Sequence, residues 1–113
     1  MADQPSDQSN LDRSFVAAMK AAEGAPDSGD AWDHLEDLAD KLGRPDDVAQ
    51  LYRDTLEQKL APDVFRAVAE RAVQYHEEWF GDAPERVAEV LSRICELSPG
   101  SDWAFERLVM MLT

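Results

Sequence analysis

The chain has 113 residues, 44% of them hydrophobic, enough for one domain with a buried core. Its 24 acidic and 11 basic residues leave a net charge of −13. That sign argues against nucleic acid, whose phosphates it would repel, and against an anionic membrane surface. It favours basic partners, or simply solubility. The lone cysteine, Cys95, cannot form an internal disulfide, so nothing points to an oxidising compartment. No apolar run approaches the roughly 20 residues a membrane-spanning helix needs. The polar, acidic stretch 1–10 lacks the basic start and apolar middle of a signal peptide. These features predict a cytoplasmic protein. Heavy use of Ala, Arg, Asp and Val with little Lys hints at a GC-rich bacterial genome.

Residues 1–10 read as a disordered acidic tail, with almost no apolar side chain to bury. From Leu11 the apolar spacing is helical. Leu11, Phe15, Met19 and Ala22 share one face, and Gly24, Pro26 and Gly29 then break the pattern. A second helix is predicted from Asp30 to Leu42, with Ala31, Trp32, Leu35, Leu38, Ala39 and Leu42 as its apolar stripe. Asp30 is placed to cap its start, and Gly43 to end it in a left-handed turn. Pro45 suits the first position of a third helix, with Asp46 and Asp47 at the positive end of its dipole. Val48, Leu51, Tyr52, Thr55 and Leu56 form the third stripe. A long fourth helix runs from Pro62 to Phe80 and is closed by Gly81. Asp82 with Glu85 resembles a capping box for a fifth helix, whose stripe is Val87, Val90, Leu91, Ile94 and Leu97. Pro99-Gly100 ends it, and a sixth helix opens at Ser101 or Asp102. No segment alternates with period two, and the short connections make successive helices antiparallel neighbours. The fold class is therefore all-α, in about six helices, as one domain over residues 11–113.

Pro26, Pro62 and Pro99 recur at intervals of 36 and 37 residues, each interval holding two helices. Residues 29–61 carry Trp32, Leu35, Ala39, Gly43, Pro45, Val48, Tyr52 and Leu56. Residues 62–100 carry Phe65, Val68, Ala69, Ala72, Gly81, Val87, Leu91, Ile94 and Pro99. This order of aromatic, small residue, glycine turn, aromatic and closing proline resembles the tetratricopeptide repeat. Residues 11–28 and 101–113 look like half repeats at either end. The departures are Glu36, where a small residue is expected, and an extra turn around Trp79 and Phe80. The resemblance implies a short right-handed α-solenoid of stacked helix pairs.

It also implies a non-enzymatic scaffold that binds a peptide or protein along the first helix of each pair. On that reading Asp30, Asp33, His34, Asp37, Asp40 and Lys41 would offer one face to a partner, and Asp63, Arg66, Glu70 and Gln74 another. Asp33, Asp37 and Asp40 stand three or four residues apart, so their carboxylates share a helix face and repel by a few tenths of a kcal/mol, roughly. A basic ligand would relieve that repulsion. An ordinary solvated face would carry the same residues.

No catalytic, cofactor or metal site is expected. His34 with Asp30 or Asp37 supplies too few ligands for structural zinc, and His76-Glu77-Glu78 has Phe80 where a metalloprotease helix needs its second histidine. Cys95 lies on or near the buried stripe with no histidine close in sequence. Trp32 is expected in the core, and Trp79 either in the core or as an exposed anchor.

The sixth helix is anomalously apolar. Trp103, Phe105, Leu108, Val109, Met111 and Leu112 form a candidate assembly surface, where a terminal repeat normally carries a polar outer face. Self-association, a longer parent array, or folding back onto the groove would each cover it. Two further readings stand beside the scaffold: an oligomerisation module working through this helix, and an acidic nucleic-acid mimic.

Overall fold

The computed structural model describes the backbone of residues 3–112 and the side chains of residues 10–111. It contains six helices, and no strand occurs among the described residues. They are α1 (Asp3–Gly24), α2 (Gly29–Leu42), α3 (Pro45–Leu56), α4 (Pro62–Trp79), α5 (Pro84–Leu97) and α6 (Asp102–Leu112). None is long and apolar enough to cross a membrane. By packing the chain divides into two compact units, one ending at Leu51 and the other beginning at Tyr52, where the sequence pattern suggested one domain over 11–113.

The first unit holds α1, α2 and the start of α3. Helix α1 begins at Asp3, upstream of the expected start at Leu11. Residues 3–10 are thus helical backbone rather than tail, while Met1 and Ala2 lie outside the described residues. Pro5 is compatible with a first turn, whose N–H groups have no intrahelical partner. The buried face of α1 is Phe15, Ala18 and Ala22, with Leu11 and Met19 half-buried beside it. Small residues at two of those positions let α2 approach closely. Helix α2 answers with Trp32, Leu35, Leu38 and Ala39, all buried.

The turn between α1 and α2 is fixed at both ends. Ser28, not Asp30, is the N-cap, its hydroxyl accepting from the Ala31 N–H at 3.2 Å. Asp30 lies within the first turn, where it meets the dipole but does not cap. The Trp32 indole donates from Nε1 to the Pro26 carbonyl at 2.9 Å, satisfying the one polar atom of a fully buried ring. At the other end Gly43 adopts φ 66°, the left-handed cap read from the sequence, and the following Arg44 N–H reaches back to Ala39 O at 2.9 Å. Arg44 then lays its guanidinium 4.7 Å from the Phe15 ring centre and pairs with Asp47 at 2.7 Å.

The second unit holds the end of α3 with α4, α5 and α6. Pro62 and Pro84 occupy first helical positions, where their missing N–H is not needed. The N-cap of α5 is Ala83, with no side-chain cap bond, so the Asp82–Glu85 capping box does not form. A main-chain bond from Arg86 N to Ala83 O serves that turn instead. Core side chains come from α4 (Val68, Ala69, Ala72, Val73, Tyr75, His76) and α5 (Val87, Val90, Leu91, Ile94). Tyr52, Leu56 and Ala104 join them in burial. The extra turn of α4 has a packing role: Phe80 is buried, its ring 5.6 Å from that of His76 and covered by the Arg86 guanidinium at 3.8 Å. Trp79 is half-buried, 6.1 Å from Tyr75. Gly81 follows because a Cβ there would stand 2.7 Å from the Glu77 carbonyl oxygen, closer than side chains tolerate.

Candidate functional site

Every residue assigned to partner binding is exposed. Asp30, Asp33, His34, Asp37, Asp40 and Lys41 stand on the outer face of α2, opposite its buried stripe. Lys41 pairs with Asp37 at 3.2 Å, one turn apart, and both are well exposed, so the pair contributes little to stability. Asp63, Arg66, Glu70 and Gln74 stand exposed on α4, with Arg66 pairing to Glu70 at 2.9 Å. The α2 residues belong to the first unit and the α4 residues to the second.

Helix α6 does not present one continuous apolar surface. Its residues fall on three faces. Ala104 is fully buried and Leu108, one turn on, is half-buried, so this side is already used in packing. Phe105, Val109 and Met110 are 59%, 42% and 76% exposed, far more than core positions allow. Met111 is exposed as well, and the side chain of Leu112 lies outside those described. Of the expected assembly surface, Phe105, Val109 and Met111 are thus exposed, with Met110 beside them, while Leu108 is half-buried. Trp103 is half-buried as well.

Trp103, Glu106, Arg107 and Met110 recur at intervals of three and four and line one side of a cleft of about 630 Å³. Glu70, Gln74 and Glu77 of α4 line the other side. Two residues read as partner-binding, Glu70 and Gln74, thus meet one read as assembly surface, Trp103. Trp103 and Met110 are the apolar members of its lining, and Glu70, Glu77 and Glu106 give it three carboxylates. Arg107 is the cation within it, its Nη2 lying 3.5 Å from the Glu77 carboxylate. Glu77, Glu106 and Arg107 had no individual signal in the sequence. Only the helical period of α6, set against α4, could have singled them out.

Other candidate chemistry is sparse. Among the described residues no group of three or more His, Cys, Asp or Glu side chains is placed to hold a metal ion. Cys95 is half-buried, and burial pushes its thiol pKa up, which disfavours the reactive thiolate. His76 is fully buried. Its Nδ1 lies 2.7 Å from the Ala72 carbonyl, which can only accept, so Nδ1 carries the proton. Nε2 is then an acceptor with no donor among the described residues. Burial holds its pKa below the usual histidine value against the opposing pull of the Ala72 bond, and the charges of Arg53 and Arg86 add to the lowering. Elsewhere Arg93 forks onto Glu57 through both Nε and Nη2, and this bond holds the Glu57 pKa below the usual carboxylate value. It is an exposed surface bridge, with Glu96 as a further partner at 3.1 Å.

No protein-family model matches the chain, and neither the curated proteins nor the solved structures yield a match.

Proposed function

We propose that this chain is a non-enzymatic protein-binding module of stacked helix pairs, similar to tetratricopeptide repeats, and that it takes a basic segment of a partner. The observation that carries this reading is the α4–α6 cleft. It combines exposed apolar surface with an excess of carboxylates, which suits a peptide bearing both cationic and apolar side chains. The acidic outer face of α2 and the net charge of −13 would steer such a segment toward the protein.

The test is selection from a random peptide display library on the full chain, followed by calorimetric titration of the enriched sequences. Enrichment in Arg or Lys, with affinity falling as salt rises, is expected. Enrichment of acidic sequences, or none at all, refutes the reading. A second reading, assembly through α6, is favoured by exposed Phe105, Val109 and Met110. Light scattering on the same samples separates the two. Under assembly the chain dimerises without peptide and Val109→Asp abolishes it; under the module reading that variant still binds peptide.

A further inference from the structure

We propose that the α4–α6 cleft receives an arginine side chain of the bound segment, stacked on Trp103 and paired with Glu106, and that Arg107 is its internal competitor in the free chain. This rests on the binding-module reading and names the chemistry of the ligand.

The first argument concerns rings and guanidinium groups. Phe15 and Phe80 each carry an arginine over the ring face: Arg44 lies 4.7 Å from Phe15 and Arg86 lies 3.8 Å from Phe80. Indole is a better platform for a cation than phenyl. Yet Trp103, a half-buried residue of the cleft lining, has no cation or aromatic ring against it among the described residues.

The second argument is an accounting of charge. Glu70 is engaged by Arg66 at 2.9 Å, and Glu77 by Arg107 at 3.5 Å. Glu106 has no ion-pair or hydrogen-bond partner among the described residues. It stands one turn from Trp103 on the same helix, so a guanidinium flat on the indole would have this carboxylate beside it. A planar guanidinium can stack and donate in plane at once, which an ammonium cannot do.

The third argument concerns Arg107. It follows Trp103 by four residues and is the one cation among the described lining residues, reaching toward Glu77 on the other wall. Its contact to Glu77 is long, and both side chains are about half exposed, so it is readily displaced. While it stays, it neutralises one carboxylate and repels an incoming arginine. Removing its charge leaves Glu77 and Glu106 both open to the ligand.

The experiment is a titration of the ¹⁵N-labelled full chain with a short peptide alternating leucine and arginine, with a leucine–lysine peptide as comparison. The indole N–H signals of the tryptophans give a local readout. The Trp103 signal is expected to move on binding while that of Trp32, buried in the first unit, stays. Glu106→Gln should weaken binding up to about fivefold and Arg107→Gln should tighten it by a similar factor, the range of single exposed charge pairs. Both residues are exposed, so neither variant threatens the fold. The assignment is overturned if the Trp103 signal stays fixed while either peptide binds, if Arg107→Gln weakens binding, or if the lysine peptide binds as tightly as the arginine one. If neither peptide binds, the assignment and the basic-ligand reading fall together.

Discussion

Trp32 is the side chain on which the first unit most depends, and its replacement gives the sharpest check on the packing. The ring is fully buried, and its N–H holds the Pro26 carbonyl in the turn that joins α1 to α2. Trp32→Ala removes the ring and the bond together and leaves a cavity between α1 and α2. Large aromatic truncations of this kind cost about 3–5 kcal/mol. A domain of this size holds only about 5–15 kcal/mol in total, so the loss is a large share of it. Trp32→Phe keeps most of the apolar contact and deletes the hydrogen bond. Pro26 is half-buried, so water can reach the freed carbonyl in part, and a loss of about 1–2 kcal/mol is expected. Urea unfolding followed by far-ultraviolet circular dichroism measures both, since tryptophan fluorescence would be altered by the substitutions themselves. Hydrogen exchange should show lowered protection of α1 and α2 amides in the Ala variant. A loss below about 1 kcal/mol for Trp32→Ala would refute the placement of this ring as the core of the unit. Equal losses for both variants would mean that the hydrogen bond, not the packing, carries the contribution.

Two other measurements test the buried histidine and the glycine turns. His76 is held neutral in the fold, with its pKa below the unfolded value of about 6.5, so its contribution is present above that pH and is lost as pH falls toward the lower folded value. Across that window stability should fall by up to about 1.4 kcal/mol per pH unit, and His76→Phe should flatten the slope; an unchanged slope would mean that His76 is not the titrating group. Gly81→Ala forces a Cβ against the Glu77 carbonyl oxygen and should destabilise by about 1–3 kcal/mol, whereas Gly43→Ala meets open space and should lose only about 1 kcal/mol from its left-handed backbone. The reverse order in a urea series would contradict the close approach at Gly81.

Much of the secondary structure was legible because its signals are local. Pro45 and Pro62 begin helices since a proline at the first position lacks only a bond that would not form anyway. Gly43 ends α2 since glycine adopts positive φ without a Cβ penalty. Trp32, Leu35, Val68, Leu91 and Ile94 are buried where the helical period placed them. Misreadings came where two residues compete for one local role. Ser28 caps α2 and Asp30 does not, a difference of two positions that composition cannot resolve. Asp82 has the right neighbour for a capping box, but the chain turns at Ala83. The helical start at Asp3 likewise joins a polar segment to the amphipathic helix that follows, which apolar spacing alone does not reveal.

The sequence by itself determined that the chain is helical, where most turns fall, which stripes are apolar, and that the surface is acidic. These follow from backbone sterics, a period of 3.6 residues and the count of charges. Only the tertiary structure decided that the apolar residues of α6 serve three different faces. It also decided that Trp103 shares a cleft with Glu70 and Gln74, and that Arg107 stands beside Glu77. Those relations depend on the rotation of α6 about its own axis and on its distance from α4. Both are set by how Ala104 and Leu108 seat in the packed unit, which no spacing along a single helix encodes.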